Sequence, residues 1–138
     1  LQVFPGQYPQ TLRLVSSFPS QPFVLLHAGM PDDSSPDALA AWRAGLRDFA
    51  KHENVAVKLS GLGTFARRCD ETAWRPIIRD TIDIFGPARC MFGSNFPIEK
   101  LWTSYAQLLD VFRKSISDLN TEEREFVLRR TAERVYRI

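Results

Sequence analysis

Phe23-Val24-Leu25-Leu26-His27-Ala28-Gly29 is the stretch on which the fold turns. Four apolar residues in a row suit a strand buried on both faces, as parallel sheets require. A polar residue and a glycine follow at its C-terminal end. Ser35-Pro36-Asp37 then opens a helix, with a capping hydroxyl, Pro in the first turn and an acid at the positive end. Leu39, Trp42, Leu46, Phe49 and Ala50 recur at helical spacing, so the helix runs to about His52.

Outward from this unit the pattern repeats. Upstream, Leu1–Phe4 reads as a short strand ending at Pro5-Gly6, followed by a helix over Gln10–Phe18. Downstream, Val55–Leu59 is a strand ending at Ser60-Gly61; Phe65, Arg67 and Arg68 fall in its loop, and a helix spans Thr72–Phe85 until Gly86-Pro87 stops it. Cys90–Gly93 is the last strand, ending at Ser94-Asn95-Phe96-Pro97. Helices over Ser104–Ser117 and Thr121–Tyr136 close the chain. The order is four βα units plus a terminal helix, a single α/β domain over residues 1–138 with parallel strands and right-handed crossovers. A flavodoxin-like open sheet and half of a closed barrel both satisfy it.

Composition narrows the function classes. The 138 residues are 44% hydrophobic and 25% charged, as in ordinary globular domains. Eighteen basic and 16 acidic residues give a net charge of +2, which lacks the clustered positive excess of a nucleic-acid binder. No apolar run approaches the roughly 20 residues that span a bilayer. Cys69 and Cys90 match no zinc or redox spacing, so a buried thiol at Cys90 and a reducing, cytoplasmic setting are expected. The chain opens on Leu1, in what reads as a strand already under way; part of a longer chain is the expectation.

Chemistry gathers at strand ends, where α/β folds bind ligands. With a side-chain period of two, His27, Leu25 and Phe23 would share the inner face with Ser60, Lys58 and Ala56, with Asn95, Gly93 and Met91, and with Gln2 and Phe4. Val24, Leu26, Val55, Val57, Leu59 and Phe92 would face helices. His27 and Asn95 are the leading catalytic candidates, each against a plainer reading: a core histidine, and a turn before Phe96-Pro97. Lys58 and Ser60 are candidates for substrate contact, though Lys58 also suits a barrel floor. Arg67 and Arg68 could hold a substrate carboxylate through paired N–H donors, or form a solvated charge pair. Asp32 and Asp33 read as an acidic lead-in to a helix. Trp42, Trp74 and Trp102 read as packing anchors.

Together, "FVLLHAGMP", "NVAVKLSGL", "FGPARCMFGSNFP" and "TAERVYRI" resemble the amidohydrolase-2 family, nearest its lactonase-like branch of fuconolactonase and pyrone-dicarboxylate lactonase. The resemblance runs from Leu1 to Ile138 and implies a (β/α)8 TIM barrel, of which this chain would be the C-terminal half, strands five to eight. It implies a hydrolase acting on a lactone or ester of a small carboxylated or sugar-derived molecule, and a divalent metal, zinc or manganese. His27 matches the strand-six histidine that binds metal or polarises a carbonyl. Asn95 falls where the superfamily usually has an acid, and an amide is neither a general base nor a good metal ligand. The family's first-strand His-x-His pair is absent; the second histidine, His52, lies near a helix end. The resemblance also admits a decarboxylase, and a half barrel that is not an enzyme. In every case the exposed sheet edges call for a partner, a missing N-terminal half or a second copy in a homodimer.

Overall fold

The computed structural model describes residues 1–138, the side chain of Phe65 excepted. Three strands, β1 (Phe23–Leu25), β2 (Val55–Leu59) and β3 (Cys90–Phe92), form one parallel sheet in sequence order. The fold is therefore α/β with a three-stranded parallel sheet. The helices are α1 (Tyr8–Ser17), α2 (Pro36–Ala50), α3 (Leu62–Ala66), α4 (Glu71–Phe85), α5 (Tyr105–Ser115), α6 (Thr121–Glu125) and α7 (Thr131–Tyr136).

The expected fourth strand at Leu1–Phe4 is a correction. Its Leu1 does make both hydrogen bonds of a parallel pair with Leu25, donating to Val24 O at 2.5 Å and accepting from Leu26 N at 2.8 Å. The ladder stops there because β1 turns away at His27, whose φ is 55. A second correction is α3, which occupies a segment read as loop. The long terminal helix is likewise divided, by a π-turn over Phe126–Arg130.

The helix starts follow their local chemistry. Ser35, Asp70 and Ser104 each cap a helix with a side-chain oxygen, on Ala38, Ala73 and Gln107 N–H. Asn120 and Glu123 form a reciprocal capping box at α6.

Pairing register corrects the inner face. Leu25 pairs Val57, which pairs Cys90, so these three share a face. That face also carries Phe23, Val55, Leu59 and Phe92, and it packs on α2, α4 and α5; Phe92 stacks on Phe112 at 4.7 Å. The opposite face carries Val24, Ala56, Lys58 and Met91. Phe23 and Leu25 thus belong to the helix-packed side and Val24 to the other, one residue out of phase with the expectation. The reason lies beyond β1: His27 adopts a left-handed backbone, so alternation cannot be counted through it. α7 is moored below β3, where Thr131 Oγ1 and Arg134 Nη2 donate to Ala88 O.

Candidate active site

The loop after β1 holds the site's histidine in an unusual backbone. His27, Ala28 and Met30 have φ of 55, 51 and 57, and Gly29 has 73. Four left-handed residues in a row are costly, and all but one of them carry a Cβ. Buried bonds hold the loop. Trp42 Nε1 donates to Ala28 O at 2.8 Å, and the Tyr8 hydroxyl donates to Gly29 O. A Cβ at Gly29 would lie 2.5 Å from that Tyr8 oxygen, so the position admits only glycine.

His27 meets Ser60 across the sheet. His27 Nδ1 lies 2.9 Å from Ser60 Oγ, which is almost fully buried. Gly61, with φ 67, makes room for the ring; a Cβ there would stand 2.5 Å from Nδ1. Burial pushes the His27 pKa below 6.5; hydrogen bonding to the Ser60 backbone opposes this, Lys58 adds to it and Glu99 opposes it. The imidazole is therefore neutral at neutral pH. Its folded pKa is depressed, so the unfolded chain binds the proton more tightly. Stability tied to His27 is complete above about pH 6.5 and falls as acid is added, until the folded pKa is passed. The stability gap between the natural protein and His27→Asn is expected to narrow between about pH 7.5 and pH 5. Urea unfolding at several pH values checks this; a gap that stays flat or widens refutes it.

Lys58 lies half-buried on the face of β2 opposite the helix-packed side, with its Nζ 5.9 Å from the Tyr136 ring centroid, and Gly93 leaves room for its stem. Asn95 is also left-handed, with φ 55, which asparagine tolerates better than most residues. Its Nδ2 donates to Glu99 Oε1 at 3.2 Å. Arg67 and Arg68 lie on the loop after α3. Arg68 pairs with Asp70 at 2.8 Å and lines a separate cleft of about 430 Å³ with Asp32, Ser34 and Ile77. Among the described residues no hydrogen bond or ion pair joins either arginine to His27, Ser60 or Asn95. Asp33 accepts from Ser35 N, so it shapes the lead-in to α2.

Sequence reading missed Glu99. It is fully buried, accepts from Thr64 Oγ1 at 3.1 Å as well as from Asn95, and leaves Oε2 without a partner. Ser60, Gly61, Ser94 and Glu99 line one cavity of about 10 Å³, large enough for about one water. The available signal was spacing: Glu99 is four residues past Asn95 in a short helical turn, the one acid within reach.

Comparison with known proteins decides the family. The family model described as amidohydrolase matches residues 1–138, the whole chain. This chain belongs to the amidohydrolase family. It is 37% identical over 145 residues to L-fucono-1,5-lactonase of Burkholderia multivorans, covering 97% of this chain and 49% of that protein. It is 34% identical over 138 residues to the uncharacterized protein y4mH of Sinorhizobium fredii, covering 100% of this chain and 46% of that one. Among solved structures it is similar to an amidohydrolase from Burkholderia multivorans, with a TM-score of 0.90, 33% identity, and coverage of 99% of this chain and 52% of that one. That amidohydrolase has been crystallised with bound zinc. The chain thus spans about half the length of the relatives it matches.

The side chains gathered around His27 fit a metal poorly. Among the described residues no three His, Cys, Asp or Glu side chains are grouped to hold an ion. His27 Nε2 is the available imidazole nitrogen, since Nδ1 is committed to Ser60. One imidazole does not make a metal centre, and no chemical step is assigned to a metal here. Among the described residues no helix is long and apolar enough to cross a membrane.

Proposed function

We propose that this amidohydrolase chain is the C-terminal half of a (β/α)8 barrel and contributes to hydrolysis of a small sugar-derived or carboxylated lactone. The observation that carries the reading is the His27–Ser60 pair at the C-terminal ends of β1 and β2, where barrel enzymes place their chemistry. Lactonase relatives at 34–37% identity support the substrate class. Leu1, bonded to β1 as a parallel strand would be, supports a barrel strand on that side.

In this reading the Ser60 hydroxyl donates to His27 Nδ1, which leaves the proton on Nε2. Nε2–H polarises the lactone carbonyl. Water adds to the carbonyl carbon, the ring C–O bond breaks, the proton lost by the attacking water ends on the departing ring oxygen, and a hydroxy acid leaves. Asn95 orients the water. Strands one to four come from a further segment or from a second copy in a homodimer, which covers the sheet edges.

The test joins this chain to the first half of the Burkholderia multivorans amidohydrolase barrel and assays L-fucono-1,5-lactone and other small lactones. The expected result is turnover by the fusion. A folded fusion inactive across the panel overturns the proposal. Light scattering on the 138-residue chain alone separates a dimer from a monomer that awaits its other half.

A further inference from the structure

Glu99 is a carboxylate where burial is expensive. It is 0% exposed, and its Oε2 has no hydrogen-bond partner. Space for it is made deliberately: any side chain at Gly63 would collide with Oε2. Its other oxygen, Oε1, accepts from Thr64 Oγ1 on α3 and from Asn95 Nδ2 beyond β3. The carboxylate therefore ties together the loops that follow two neighbouring strands.

The chemistry of this contact fixes which way the Asn95 amide is turned. An asparagine amide has one donating end and one accepting end, and the two are nearly identical in shape. A carboxylate only accepts. The end of Asn95 that faces Glu99 must then be the NH2 group, and Oδ1 must be the end turned away from it. Among the described residues Oδ1 takes no hydrogen bond.

We propose that Glu99 is a positioning residue, which turns the Asn95 amide so that its oxygen faces the mouth of the site. Asn95 then offers an acceptor where the family usually offers a carboxylate oxygen, and the negative charge sits one layer below, on Glu99. The site keeps an acceptor for water or a substrate hydroxyl. The acid has moved by four residues and acts through the amide. The inference rests on the mouth being the active site, as proposed above.

The test reads the orientation directly, on the 138-residue chain and without substrate. Solvent exchange of the Asn95 side-chain NH2 protons is measured by nitrogen-15 NMR, with the signal assigned by its loss in Asn95→Asp. Exposed Gln107 is the internal standard. The Asn95 protons are expected to exchange at least about tenfold more slowly than those of Gln107. Glu99→Met, which removes the acceptor, should bring them to the Gln107 rate. Equal rates in the natural protein, or slow exchange that survives Glu99→Met, overturn the proposal.

A second measurement covers a variant that fails to fold. Asn95→Asp sets two carboxylates against each other and should lower the folding equilibrium constant about tenfold more at pH 8 than at pH 5. The swap N95D/E99Q restores a donor opposite an acceptor and should recover most of that loss. Absence of both the pH dependence and the rescue overturns the proposal. A fusion with no turnover in any form counts against the lactonase reading alone, because exchange and rescue are read without it.

Discussion

Trp42→Ala is expected to cost about 3–5 kcal/mol of folding stability, a large part of what a domain of this size possesses. The side chain is 1% exposed and sits between α2 and the loop after β1. Truncation leaves a cavity in the buried cluster to which Trp42 belongs. It also leaves Ala28 O, inside the protein, without the indole N–H that satisfies it. Trp42→Phe separates the two effects. It keeps most of the apolar volume and loses the hydrogen bond, for about 1–3 kcal/mol. The consequence reaches the site because Ala28 follows His27 in a run of left-handed residues. Such a backbone persists only where surrounding contacts over-determine it. Both variants should therefore disturb the His27–Ser60 pair. Denaturant midpoints give the stability, and the His27 ring resonances report the loop. A loss below about 1 kcal/mol in Trp42→Ala sinks the argument.

Element existence was legible because it rests on local chemistry. Ser35-Pro36-Asp37 and Gly86-Pro87 mark helix ends through capping and backbone freedom that neighbours do not alter. The site's members His27 and Ser60 were legible for a similar reason, as polar residues that end apolar runs. Their shared face was expected from the period-two count, and they do meet; what that count misplaced is the β1 set Phe23, Val24 and Leu25. The alternation rule failed at His27, whose positive φ comes from the tertiary grip of Trp42 and Tyr8 on the loop. Leu1–Phe4 looked like a strand and is extended, but pairing needs a neighbour that continues alongside, and β1 does not. Glu99 lies four residues past Asn95, but a single acid in an exposed-looking turn reads as surface. Its burial is produced by Gly63, 36 residues earlier, which no local window joins to it. The amidohydrolase resemblance supplied the family; it could not supply this carboxylate, since it directs attention to position 95.

His27→Gln should abolish most of the hydrolysis that the barrel fusion shows, by about 10²–10⁴-fold in kcat. Glutamine keeps a polar side chain of similar reach, so loss of solubility or gross packing does not account for the effect. What it removes is the imidazole whose Nδ1 is anchored to Ser60 and whose Nε2 is left for the substrate. An interaction made mainly with the developing oxyanion lowers kcat, while one made equally with bound lactone raises KM. The reading requires the first. Ser60→Ala is the companion variant. It deletes one neutral hydrogen bond, worth about 1 kcal/mol, and leaves the ring in place. Its loss should be about tenfold or less. That ordering distinguishes a histidine that does chemistry from one that merely fills the space beside Gly61. If Ser60→Ala and His27→Gln lose activity equally, the pair acts as a structural unit, and the carbonyl-polarising role of His27 is wrong. If His27→Gln retains full kcat, the chemistry of this barrel lies in its other half, and the face built by β1, β2 and β3 serves to hold the substrate.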